Sequence, residues 1–108
     1  MSDTASGVTL QLRRYQLTPE TLDPFVGWWQ EDLLPVRRAF GFAVPFACVV
    51  PETAELVWVV ALPGDEESFT EAEKRYNAWP DRLASMSRQP VRPESSSAAF
   101  VRDVLPNG

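Results

Sequence analysis

Arg13, Arg14 and Tyr15 concentrate hydrogen-bond donors at one point of a 108-residue chain. They close the segment VTLQLRRYQL over residues 8–17, in which Val8, Leu10 and Leu12 alternate with Thr9, Gln11 and Arg13. That period of two marks a strand, whose successive side chains face opposite sides. Arg13 and Tyr15 therefore share a face and Arg14 takes the other. A buried arginine needs an anion or a hydrogen-bonding partner, which a ligand carboxylate, enolate or phenolate would supply, as would a structural glutamate. With the Tyr15 hydroxyl as a donor to a carbonyl oxygen, Arg13 and Tyr15 form the candidate catalytic pair, stabilising an enolate-like oxygen. Arg14, Trp28, Trp58, Tyr76, Asn77 and Trp79 are the candidate ligand-binding residues. Their indoles would serve as stacking walls for a planar apolar ligand, and the Asn77 amide offers both a donor and an acceptor. The same aromatic residues could instead simply fill the core of a small domain.

Composition narrows the chemistry further. The chain has no His, one Cys, and one Lys against nine Arg. Ser-His-Asp and Cys-His dyads, His-ligated zinc or haem iron, and an imidazole acid or base are all ruled out by residue type. No cofactor and no metal are expected. Proton removal would fall to a carboxylate with a raised pKa, or the substrate would arrive acidic enough to ionise itself. Glu31 and Asp32 are expected on a solvated helix face, Lys74 lies among charges, and Cys48 has apolar neighbours typical of a small core residue. Net charge is −5 without a basic block, so the long-range field repels phosphate backbones and nucleic acid is not an expected partner.

The elements that must hold these residues follow from the pattern. A chain of this length makes one domain, since domains average roughly 100–200 residues. After the first strand, Thr21 offers a capping hydroxyl with Pro24 in the first turn, and Leu22, Phe25, Val26, Trp29 and Leu33 recur at helical spacing. Pro35 should bend or end this helix, leaving a last turn with Arg37 and Arg38 before a cap at Gly41. FAVPFACVV over 42–50 and ELVWVVAL over 55–62 read as a hairpin. Pro45 makes the first of these an edge strand or a bulged one, and the second is central and apolar on both faces. A capping box at Ser68 to Glu71 should start a second helix with Phe69, Ala72, Tyr76 and Trp79 inward and Glu66, Glu67, Glu71, Glu73, Lys74 and Arg75 outward. One further turn spans 81–86, RQPVRPESSS over 88–97 reads as a flexible loop, and a short strand covers 98–105.

The order β-α-β-β-α-β implies an α+β, ferredoxin-like fold: a four-stranded antiparallel sheet with two helices on one face. Because the central strand is apolar on both faces, the uncovered face must meet another apolar surface, and a second copy of the chain is the simplest. A homodimer is expected.

Leu12-Arg13-Arg14-Tyr15-Gln16-Leu17-Thr18-Pro19, then Trp28-Trp29, Leu34-Pro35 and Arg38-Ala39-Phe40-Gly41-Phe42, resemble the NIPSNAP family. Glu55-Leu56-Val57-Trp58 and Tyr76-Asn77-Ala78-Trp79-Pro80 resemble its third strand and second helix. The likeness runs from Val8 to Leu83, with a weaker echo in the last strand. It implies a ferredoxin-like dimeric α+β barrel from a superfamily that includes cofactor-independent monooxygenases, haem-degrading enzymes, polyketide cyclases and isomerases. The chain departs from the haem-binding branch in lacking His. A transit segment like that of the mitochondrial members is not expected from its opening residues, and fold alone does not choose among the remaining activities.

Two functional readings follow. One is a small-molecule-binding protein acting as a cofactor-independent oxygenase, cyclase or isomerase on an apolar, enolisable metabolite. The other is a non-catalytic dimeric interaction or carrier protein. They differ in whether a cavity or a solid core lies beside the indoles. The expected partners are a second copy and a small apolar or aromatic ligand. No membrane is expected, because the longest apolar run has nine residues broken by Pro45 and a spanning helix needs ~20. The opening residues 1–7, expected to be flexible, have no secretory pattern, so a cytoplasmic location is expected.

Overall fold

The computed structural model describes residues 7–105. The expected flexible opening therefore lies outside the described residues, except for Gly7. Nine-residue β1 (Val8–Gln16) leads into α1 (Pro19–Trp28), which continues through a π-helical turn (Trp29–Leu33) into α2 (Leu34–Phe40). Helix α1 starts one turn earlier than the Thr21 cap predicts. Thr18 is the cap: its hydroxyl accepts from the Thr21 N–H at 3.3 Å while the Thr21 hydroxyl accepts from the Thr18 N–H at 3.0 Å. Pro19 then takes the first helical position, where its missing N–H costs nothing. Pro35 does not end the helix. The turn before it widens, with the Leu34 N–H donating to the Trp29 carbonyl, and α2 runs on to Gly41, whose φ of 124° suits a residue without Cβ.

Strands β2 (Ala43–Val50) and β3 (Glu55–Pro63) form the expected hairpin. The sheet order is β2-β3-β1-β4, all antiparallel. Pro45 sits on an edge strand and within a register shift between Ala43 and Phe46, because it cannot donate to the ladder. α3 (Glu66–Asn77) is capped by Asp65, whose carboxylate accepts from the Ser68 N–H at 2.8 Å, instead of by the expected Ser68 box. A carboxylate there also faces the positive end of the helix dipole. Trp79 is extended because it precedes Pro80, and this separates α3 from the two-turn α4 (Pro80–Ser87). β4 (Ser95–Val101) begins earlier than expected: Ser95, Ser96 and Ser97 pair with Gln16, Tyr15 and Arg14, since a free strand edge bonds to backbone whatever the side chains.

Cross-strand pairing separates the two faces. Leu56, Trp58 and Val60 point to the helices and join Phe25, Trp29, Phe69 and Tyr76 in the core. Trp29 meets Trp58 edge-on at 5.1 Å and Phe42 meets Phe69 at 5.4 Å. Such contacts add about 0.5–1.5 kcal/mol each beyond burial. Leu12, Val57, Val59 and Ala61 point the other way and do not belong to that core, and Phe46 and Val101 on this outer face are 52% and 39% exposed. Among the described residues, no helix is long and apolar enough to cross a membrane.

Candidate functional site

A cleft of about 340 Å³ opens between the helix layer and the end of the sheet where β1 and β4 pair. The sheet side supplies Arg13, Tyr15 and Ser96. From the helices come Phe25 and Trp28 of α1, Leu33 of the π turn, Arg37 of α2, Tyr76 of α3, and Arg82 and Met86 of α4. The connection after α4 closes it with Gln89, Arg92 and Pro93. The lining combines apolar side chains with guanidinium and hydroxyl donors.

Of the residues singled out in the sequence, the fold brings Arg13, Tyr15, Trp28 and Tyr76 to this cleft. Alternation along β1 does what it predicts: Arg13 and Tyr15 lie opposite Trp58 and Leu56 on the helix face. Arg14 lies opposite Val57 on the outer face, exposed and bonded to Glu55 at 3.3 Å, so it does not reach the cleft. Trp58 is fully buried one layer behind, with the Arg13 guanidinium 5.8 Å from its ring centre, and it supports the site without lining it. Asn77 is exposed at the end of α3, beyond the cleft. Trp79 packs on Phe40 at 5.3 Å and does not line the cleft.

Two residues that the sequence reading assigned elsewhere hold the site together. Arg37, expected to favour a helix dipole, is only 2% exposed. Its Nη1 donates to Glu73 Oε1 at 2.7 Å, and its guanidinium lies 4.1 Å from the Tyr76 ring centre and 4.7 Å from that of Phe42. Glu73, expected on the solvated side of α3, also accepts from Arg13 Nη2 at 2.6 Å. One carboxylate therefore anchors two cleft arginines. The signal was present in the spacing. Arg37 stands four residues after Leu33, and Glu73 four after Phe69, so both continue apolar stripes into the interior. Arg82 and Met86 are likewise one helical turn apart on α4.

Electrostatics follow from this arrangement. Burial pushes the Glu73 carboxyl up, but the hydrogen bonds and charges of Arg37 and Arg13 outweigh it and hold the group below the usual carboxylate range. Burial disfavours the Arg13 cation, yet Tyr15 and Glu73 more than offset this and its pKa is raised. Burial raises the Tyr76 phenol against the opposing pull of Arg37 and Arg82, so it stays a protonated donor at neutral pH. That hydroxyl is buried with no hydrogen-bond partner, as is Arg82 Nε. Across the cleft, Trp28 Nε1 donates to the Ser85 carbonyl at 3.1 Å and ties α4 to α1. Arg88 donates to Asp32 at 2.6 Å and pins the start of the closing connection to the π turn. No three His, Cys, Asp or Glu side chains cluster as a metal site among the described residues.

No protein-family model and no curated protein matches the chain. Solved structures do. An uncharacterized NIPSNAP domain protein from Burkholderia xenovorans superposes with a TM-score of 0.78 at 16% identity, covering 92% of this chain and 99% of its own. A NIPSNAP family protein from Agrobacterium tumefaciens gives 0.75 at 14% identity over 93% of this chain and 86% of its own. A candidate antibiotic biosynthesis monooxygenase from Bacteroides thetaiotaomicron gives 0.67 at 15% identity over 94% of both chains. The fold is thus the ferredoxin-like α+β fold of NIPSNAP proteins, the family the sequence resembles, and it is shared with monooxygenase-like neighbours.

Proposed function

We propose that the chain is a NIPSNAP-like small-molecule-binding protein, a single cytoplasmic domain working as a homodimer, whose cleft holds an apolar, enolisable metabolite. The observation that carries this reading is the cleft itself: about 340 Å³ of space, walled by Phe25, Trp28, Leu33 and Met86, with Arg13, Tyr15 and Tyr76 aimed into it. Its volume falls in the lower part of the ordinary range for ligand pockets, ~300–1,000 Å³. The unpartnered Tyr76 hydroxyl supports it further, since a buried donor left unpaired costs about 1–3 kcal/mol that a bound oxygen would recover.

The chemistry this arrangement suits is stabilisation of an enolate-like oxygen by donors fixed in advance, as in a cofactor-independent oxygenase, cyclase or isomerase. No carboxylate lines the cleft among the described residues. Glu73, which pairs with the cleft residues Arg13 and Arg37, is held ionised by them and accepts a proton poorly. The substrate then ionises before or on binding, drawn by the arginines. The same observation favours, as a second reading, a carrier that binds a ligand without transforming it.

A homodimer is supported by the outer face of the sheet, where Leu12, Val57, Val59 and Ala61 form an apolar centre outside the core cluster. Native mass spectrometry of freshly isolated protein tests binding and assembly together. A dimer carrying a small organic adduct is the expected result, and incubation of that adduct in air with the protein separates enzyme from carrier. A protein that neither retains nor rebinds any small apolar molecule overturns the proposal.

A further inference from the structure

We infer that the cleft selects an organic carboxylate: an apolar or aromatic acid whose head meets Arg82 and Arg92 and whose body lies against Phe25, Trp28 and Met86. This rests on the proposal that the cleft is a ligand site and adds the ligand's charge. The chain as a whole carries −5, yet the cleft is lined by Arg13, Arg37, Arg82 and Arg92 and by no acidic residue. Glu73 is the carboxylate of the ion pairs that include Arg13 and Arg37. Among the described residues no ion pair reaches Arg82 or Arg92.

Four guanidiniums against one carboxylate leave a surplus of positive charge at the point of the molecule where a small ligand would sit. Such a surplus inside a partly enclosed cleft favours an anion more than it would on an open surface. Hydrogen bonding points the same way. The Tyr76 hydroxyl and Arg82 Nε, both on residues lining the cleft, are buried donors without acceptors, and a carboxylate offers them acceptor oxygens. A guanidinium fork matches the planar two-oxygen geometry of a carboxylate. Phe25, Trp28 and Met86 line the same cleft, and a small inorganic anion alone would leave them facing water, so the ligand carries an apolar body.

The test is calorimetric titration of the intact protein with benzoate, phenylacetate, 2-naphthoate and octanoate, each against its neutral amide. At least one acid should bind about tenfold more tightly than its amide in low salt, with the preference shrinking as salt rises. Arg92→Gln, at an exposed position, and Arg82→Gln should each weaken the acid more than its amide and so cut that preference severalfold. Equal binding of acids and amides, or a preference untouched by both substitutions, overturns the anion inference while the cleft remains a ligand site. Failure of every acid and amide to bind at about millimolar concentration removes the ligand site and this inference together.

Discussion

Arg37 donates to Glu73 at 2.7 Å with only 3% of the arginine side chain exposed, so the charge at the heart of the helix layer is neutralised by one carboxylate reaching across from the neighbouring helix. Glu73 fixes Arg37 over the rings of Tyr76 and Phe42 and holds Arg13 from the strand, and so sets the shape of the donor lining.

Removing that carboxylate should be severe. Glu73→Gln leaves Arg37 as an uncompensated buried cation, and the expected loss is on the order of 3–5 kcal/mol, read from urea unfolding. Glu71→Gln, which breaks only the exposed pair with Lys74, should cost under about 1 kcal/mol. The double variant Arg37→Met with Glu73→Gln should recover much of the loss. If Glu73→Gln matches wild type, the buried pair is not what holds the helix layer.

Acid should have the same effect as the substitution. Because the Glu73 pKa is lower in the folded than in the unfolded chain, its stabilisation is complete above the unfolded value, roughly pH 4.3, and is lost as pH falls through the lower folded value. Asp32, lowered chiefly by its hydrogen bond from Arg88, shifts in the same direction, but that partner is exposed and the pair adds little. The stability gap between wild type and Glu73→Gln should stay constant from neutral pH down to about 5, begin to narrow near the unfolded value and go on narrowing as pH falls through the lower folded one. A gap that persists unchanged in acid would refute this account.

Tyr76→Phe should separate stability from binding. Deleting a buried hydroxyl that has no partner removes a desolvation cost of about 1–3 kcal/mol, so the ligand-free variant should melt several degrees higher than wild type. Its affinity for any ligand that rescues that hydroxyl should fall. A ligand-free variant that melts lower would mean the hydroxyl is already satisfied.

The outer sheet face yields an independent expectation. Leu12→Glu places a charge opposite Val59, at the centre of the apolar patch, where a monomer would tolerate it. Sedimentation velocity should show wild type as a dimer and the variant shifted to monomer with unchanged secondary structure. Wild type sedimenting as a monomer at micromolar concentration would remove the homodimer from the proposal.

Much of the frame was legible in the chain because it depends on local periodicity and backbone chemistry. Alternation over 8–16 determined that Arg13 and Tyr15 oppose Arg14, and a proline without an N–H determined that β2 is an irregular edge. The two apolar faces of β3 were equally plain from spacing. Helix starts were not, since Thr21 and Ser68 are credible caps locally and lose to Thr18 and Asp65 only when Pro19 and the Gly64 turn set where the backbone can enter the helix.

The site itself was decided by tertiary structure. Sequence chose the indoles by type, but packing put Trp28 at the cleft wall and Trp58 a layer behind it, and left Asn77 and Trp79 outside. Arg37 and Glu73 stand 36 residues apart; in their own helices the first read as a complement to the helix dipole and the second as solvated. A charged residue on an apolar stripe is stable inside only if its counter-charge arrives from another element, and that meeting exists only once the helices have packed on the sheet.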